Sequence, residues 1–160
     1  MHSNAELLHT FYDAFARKDG AAMRACYAED ATFSDPVFPA LTGSEIGDMW
    51  TMLCERGKDL ALVSSGIEAD DNGGKAHWEA TYTFSTTGRS VHNVIDAEFT
   101  FKDGKIATHI DHFPFWKWSR MALGAPGLLL GWTPIVQNKV RGEAAKGLGK
   151  WQEKRSSASA

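Results

Sequence analysis

The chain has 160 residues, 43% hydrophobic and 23% charged, which is one domain's worth of sequence with enough apolar surface to build a core. It holds no apolar run near the roughly eighteen residues that a membrane span needs, and the opening MHSNAELLHTFYDAF lacks the charged start, apolar stretch and small-residue site of a secretory signal, so the expected location is cytoplasmic. The net charge of −3 conceals two halves: residues 1–116 hold 9 Lys/Arg against 18 Asp/Glu and residues 117–160 hold 8 against 2, so an acidic body, which is no nucleic-acid-binding profile, precedes a basic tail.

Ser3 to Glu6 spell the S-x-x-E of a capping box, and Leu7, Leu8, Phe11, Tyr12 and Phe15 follow at helical spacing. Asp19 is placed to cap a second, shorter helix carrying Met23, Cys26 and Tyr27. Cys26 and Cys54 fall in helical patterns without metal-ligand spacing and are expected to be reduced core residues. EDATFSDPVF, residues 29–38, reads as a strand with Phe33, Val37 and Phe38 buried and the carboxylate of Asp35 among them. Thr42 to Glu45 form a second capping box. The third helix that it opens carries Ile46, Met49, Trp50 and Leu53, and Gly57 ends it.

After Gly57 the period changes to two. LALVSSGIEA is a strand and DDNGG a turn. AHWEATYTF puts Trp78, Ala80, Tyr82 and Phe84 on one face. VHNVIDAEFTF puts Asn93, Ile95, Ala97, Phe99 and Phe101 on one face and His92, Asp96 and Glu98 on the other. The Asp-Gly of KDGK makes a hairpin, and IATHIDHFPFW is the last strand, with His109, Asp111 and Phe113 sharing a face. Beyond it, Thr133-Pro134 starts a helix whose stripe is Val136, Val140, Ala144, Leu148 and Trp151, with Lys139, Arg141, Lys146 and Lys150 around it. That helix packs over the acidic body, docks on a second subunit or lies on an anionic membrane, packing on the body being the favoured arrangement. The terminal SSASA is expected to be disordered.

Helices followed by long alternating strands indicate an α+β fold. ARKDGAAMRACYAEDATFSDP, LTGSEIGDMW and FTFKDGKIATHIDHF, in this order, resemble the nuclear-transport-factor-2-like superfamily and, within it, the SnoaL-like and ketosteroid-isomerase-like branch. The resemblance implies a cone: a curved antiparallel sheet wrapped around three N-terminal helices, enclosing an apolar pocket, as a domain of residues 1–125, with residues 126–160 as a basic helical extension packed on it. It implies a pocket lined by Tyr12, Phe33, Trp50, Trp78, Tyr82, Phe84, Asn93, Phe99 and Phe113. Superfamily members include isomerases, polyketide cyclases, dehydratases, epoxide hydrolases and non-enzymes, so the fold alone does not select the chemistry.

Asp35 matches the proton-shuttling aspartate of the isomerases, and an apolar cavity would raise its pKa to a useful value; the plain alternative is that Asp-Pro starts a turn. His109 and Asp111 match a cyclase H-x-D whose aspartate is a general base; the plain alternative is a structural pair at a sheet edge. The isomerases' enolate-binding tyrosine and acid are replaced here by Phe11 and Ala97, so efficient steroid isomerisation is not expected. The resulting expectation is a cofactor-free, metal-free acid–base enzyme of isomerase, cyclase or dehydratase type, acting on an apolar oxygenated small molecule through Asp35, His109 and Asp111. The alternatives are a non-catalytic ligand-binding or dimeric protein of the same fold and a membrane-peripheral adaptor. A homodimer is the expected assembly.

Overall fold

The computed structural model describes residues 1–159. The order is α1 (Ser3–Ala16), α2 (Gly20–Arg24), β1 (Tyr27–Ser34), β2 (Leu41–Thr42), α3 (Ser44–Arg56), β3 (Ala61–Ala69), β4 (Gly74–Phe84), β5 (Arg89–Lys102), β6 (Lys105–His112), α4 (Phe115–Leu123), α5 (Ala125–Leu130) and α6 (Pro134–Ser159). The fold is α+β, with the N-terminal helices set against one six-stranded sheet of order β2-β1-β6-β5-β4-β3. The sheet is mixed rather than wholly antiparallel, because β1 runs parallel to β6. A parallel neighbour needs a long crossover, and helix α3 with the β3–β5 meander supplies it. Local alternation carries no information about that pairing.

Several local signals act differently from their sequence reading. Helix α1 is capped by the His2 side chain, which accepts from the Asn4 amide, and not by Ser3. Asp19 does cap α2, but that helix ends at Arg24, so Tyr27 opens β1 instead of belonging to the helix. The Glu45 carboxylate accepts from the Thr42 amide and hydroxyl, while Gly43 is the residue at the cap of α3. Asp103 and Gly104 both take positive φ, 51° and 74°, as the Asp-Gly hairpin requires. Strand β6 stops at His112, and Pro114 caps a further helix, α4, that the sequence reading ran together with the strand.

The core lies between the concave face of the sheet and helices α1 and α3, with Leu8, Phe11, Tyr12, Ile46, Met49 and Trp50 meeting Phe33, Trp78, Ile95, Phe99 and Ile106. A second cluster under α4 joins Val91, Phe115, Trp118 and Ala122. Each such aliphatic or aromatic side chain contributes about 1.5–3 kcal/mol by leaving water. Both cysteines are buried and unpaired.

Helix α6 folds back onto α3. Leu148 enters the main core, Trp151 Nε1 donates to Glu55 at 2.7 Å, Gln152 donates to Asp48 at 2.9 Å, and Arg155 pairs with Glu55 at 2.9 Å. The basic tail thus meets acids of the body, with Ala144 and Trp151 of the expected stripe against the main core and Val136 and Val140 against the second cluster. Residues 156–159 continue the helix where disorder was expected, and Ala160 lies outside the described residues. Among the described residues, no helix is long and apolar enough to cross a membrane.

Candidate functional site

His109 stands at the centre of the concave face. It pairs with Phe33 of β1 on one side and Phe99 of β5 on the other. The Phe33, Phe99 and Trp50 rings close round its imidazole at centroid distances of 4.9, 4.3 and 6.0 Å. Its Nε2 lies 2.8 Å from Asp111 Oδ1, and both residues are almost fully buried, with 1% and 3% of their surface exposed. The two are i and i+2 on one strand face, so the strand itself sets their contact.

A chain of hydrogen bonds fixes the proton positions. Trp50 Nε1 donates to the Tyr27 hydroxyl oxygen at 2.9 Å, and that hydroxyl lies 2.7 Å from His109 Nδ1. With its oxygen accepting from Trp50, the Tyr27 hydroxyl is assigned as the hydrogen-bond donor to Nδ1. His109 is then the Nε2–H tautomer and donates to Asp111. Burial holds the Tyr27 hydroxyl well above the usual tyrosine range, so it keeps that proton. Trp78 Nε1 also donates to Asp111 Oδ1, at 3.3 Å. Asp111 sits opposite Ala97, and Ala97 sits opposite Ala76. These two small residues leave room for the Trp78 indole to reach across β5. Both nitrogens of His109 and one oxygen of Asp111 are therefore occupied, while Asp111 Oδ2 takes part in none of these bonds.

Asp35 lies just past the end of β1. Its Oδ1 accepts from the amides of Val37 and Phe38, at 2.7 and 2.6 Å, and its own amide donates to the Phe38 carbonyl. The Asp-Pro turn therefore uses this carboxylate. The carboxyl is nevertheless enclosed. Burial pushes its pKa from 3.8 up to about 7, the negative charge of Asp111 adding to the rise and the Phe38 and Val37 amides and Arg141 opposing it. Both aspartates thus lie within electrostatic reach of one another.

Tyr12 is 2% exposed, and its hydroxyl is a buried polar atom without a hydrogen-bond partner. Burial raises its pKa well above the usual value, and the Asp111 charge adds to that. Asn93 is buried on the inward face of β5. Tyr82 and Phe113 pack against both the main core and the second cluster, and Phe84 packs against the second cluster alone. Under α4, Trp118 Nε1 donates to the Tyr82 hydroxyl at 2.8 Å. A groove of about 430 Å³ opens elsewhere, between the 37–41 segment and α6, and neither His109 nor Asp111 lines it.

Two contributors escaped the sequence reading. Tyr27 follows the helical spacing of Met23 in the sequence but opens β1, and a register shift between Tyr27 and Thr32 breaks the period of two that would have marked it as strand. Arg141, more than a hundred residues from Asp35, donates through Nε to the Pro36 carbonyl, and no local pattern signals that contact.

A SnoaL-like domain model matches residues 8–109. The chain belongs to the SnoaL-like domain family. A comparison with curated proteins finds no match. Among solved structures, this SnoaL-like chain is similar to an NTF2-like protein of unknown function from Burkholderia pseudomallei K96243, with 18% identity, TM-score 0.64, and 76% of this chain and 98% of that one covered. It is similar to a candidate polyketide cyclase from Pseudomonas putida KT2440, with 19% identity, TM-score 0.62, and 76% and 98% covered. It is also similar to an LEH-like epoxide hydrolase of M. tuberculosis, with 16% identity, TM-score 0.60, and 79% and 92% covered. Identities this low establish the shared NTF2-like, ketosteroid-isomerase-like fold. The family match stops at His109, so Asp111 and the helices α4 to α6 lie beyond it.

Proposed function

We propose that this SnoaL-like protein is an acid–base enzyme acting on a small, mostly apolar, oxygenated molecule, by isomerisation, cyclisation or dehydration. The observation that carries the reading is the buried His109–Asp111 pair, hydrogen-bonded at 2.8 Å inside an aromatic core. Burying a carboxylate is costly unless donors hold it, and here two donors hold one oxygen and leave the other available.

Asp111, through Oδ2, is the base that takes a proton from carbon or from a hydroxyl. His109 is a positioning residue. Its two nitrogens are engaged by Tyr27 and Asp111, so it orients the carboxylate and does not itself touch substrate. Asp35, with a pKa of about 7, is near half-protonated at neutral pH and serves as the partner that returns the proton. The unpaired Tyr12 hydroxyl donates to the substrate's carbonyl oxygen, where negative charge develops as the proton leaves. Isomerisation needs only these two proton transfers, one to Asp111 and one from Asp35; in cyclisation the carbanion left by the first transfer bonds to a second carbonyl carbon, whose oxygen takes the Asp35 proton, and in dehydration the Asp35 proton leaves with the departing hydroxyl as water.

The test is exchange of α-protons from a panel of cyclic and polycyclic ketones in D₂O, followed by proton NMR. The wild type should exchange a responsive ketone faster than buffer, and Asp111→Asn should lower that rate by about 10²–10⁴-fold while remaining folded. Exchange that survives Asp111→Asn would remove Asp111 as the base.

A further inference from the structure

We infer that the exposed apolar knob formed by α5 and the start of α6 is an anchor for the surface of an anionic lipid bilayer. Among the described residues, large hydrophobic side chains are strongly exposed at nine positions. Five of these, Leu128, Leu129, Leu130, Trp132 and Ile135, fall in this one stretch, with Leu129, Trp132 and Ile135 at 67, 67 and 78%, and a sixth, Trp116 of α4, is tied to it by its indole bond to the Leu128 carbonyl. Soluble surfaces scatter such residues and rarely group them.

The packing explains why the leucines point outward. Gly127 and Gly131 take the inner side of α5 against Ser119 of α4. A Cβ at Gly127 would lie 1.9 Å from the Ser119 carbonyl oxygen, and one at Gly131 2.0 Å from its hydroxyl. Only glycine fits there, so the three bulky residues between them are turned to the outside. The indoles of Trp116 and Trp132 satisfy their N–H groups internally, on the carbonyls of Leu128 and Leu129, so their rings can enter an apolar layer without stranding a donor.

The charge around the knob selects the occupant. Residues 112–142 contain no Asp or Glu. Lys117, Arg120 and Lys139 are exposed beside the apolar residues; Arg120 lies over the Trp116 ring at 4.8 Å, and Lys139 is one helical turn beyond Ile135. Apolar residues rimmed by cations suit insertion at the headgroup boundary of anionic lipid. A second copy of the same knob would bring like charges together. The surface involved is not the α6 stripe, which the body covers.

The test is co-sedimentation of the full chain with vesicles of phosphatidylcholine alone and of an equimolar mixture with phosphatidylglycerol. Binding to the mixed vesicles should exceed binding to phosphatidylcholine by about tenfold or more at low salt and weaken as salt is added. The exposed triple variant Leu129→Ser, Trp132→Ser, Ile135→Ser should lose binding while keeping the wild-type melting temperature. Lys117→Gln and Lys139→Gln should each weaken binding to the mixed vesicles about fivefold. Absence of binding to the mixed vesicles, or a triple variant that binds them as the wild type does, overturns the inference. A knob-dependent homodimer that ignores vesicles overturns it in favour of a second copy.

Discussion

The Tyr27 hydroxyl lies 2.7 Å from His109 Nδ1, across 82 residues of sequence. This bond and the one to Asp111 leave the imidazole no free nitrogen, and they predict its state. Nitrogen-15 NMR should find the His109 proton on Nε2, with Nδ1 accepting from the Tyr27 hydroxyl. In Tyr27→Phe the Trp50 indole N–H and His109 Nδ1 lose their shared partner, at a cost of about 1–3 kcal/mol. An Nδ1–H tautomer in the wild type would contradict the proton chain.

The coupling of the two carboxylates is measurable without a substrate. Asp111→Asn keeps an oxygen for His109 and Trp78 but removes the charge that helps to raise the Asp35 pKa. Carboxyl-carbon NMR should show Asp35 titrating lower in Asp111→Asn than in the wild type. An unchanged value would mean that the two groups do not sense one another.

Asp35 also sets a pH dependence of stability. Its pKa rises from 3.8 to about 7 on folding, so between those values the folded chain holds a proton that the unfolded chain has released. Stability contributed by this group therefore falls as pH rises from about 4 to 7 and is flat above, by about 4 kcal/mol at most. Asp35→Asn retains an oxygen for the Val37 and Phe38 amides, so it should flatten that slope and be the more stable protein at pH 8. Melting curves across the window decide this, and a slope identical to the wild type would show that Asp35 is solvated.

Tyr12→Phe should leave the ligand-free protein as stable as the wild type or more stable by about 1 kcal/mol, because a buried hydroxyl without a partner is costly. The same change should weaken the reaction. A loss of stability above about 1 kcal/mol in urea unfolding would indicate that the hydroxyl is already satisfied within the protein.

Leu148 fastens α6 to the main core, with 4% of its surface exposed. Leu148→Ala should cost about 2–5 kcal/mol in urea unfolding and speed proteolysis within α6. Unchanged stability would show that the polar contacts to Asp48 and Glu55 hold the helix alone.

The sequence by itself determined what depends on near neighbours along the chain. Period-two alternation put His109 beside Asp111 and placed Trp78 and Phe99 on inward faces, helical spacing turned Tyr12 and Trp50 to the core, and Asp103-Gly104 specified the hairpin. Those signals act over a few residues, so they survive in the linear pattern. Only the tertiary structure decided the parallel pairing of β1 with β6, which brings Phe33 and Tyr27 to His109. It decided which of the predicted aromatics sit at the pair and which, like Phe84, lie under α4. It also raised the pKa of Asp35, a carboxylate that the local turn uses in any case, because desolvation depends on everything packed around a group and not on the residues next to it in the chain.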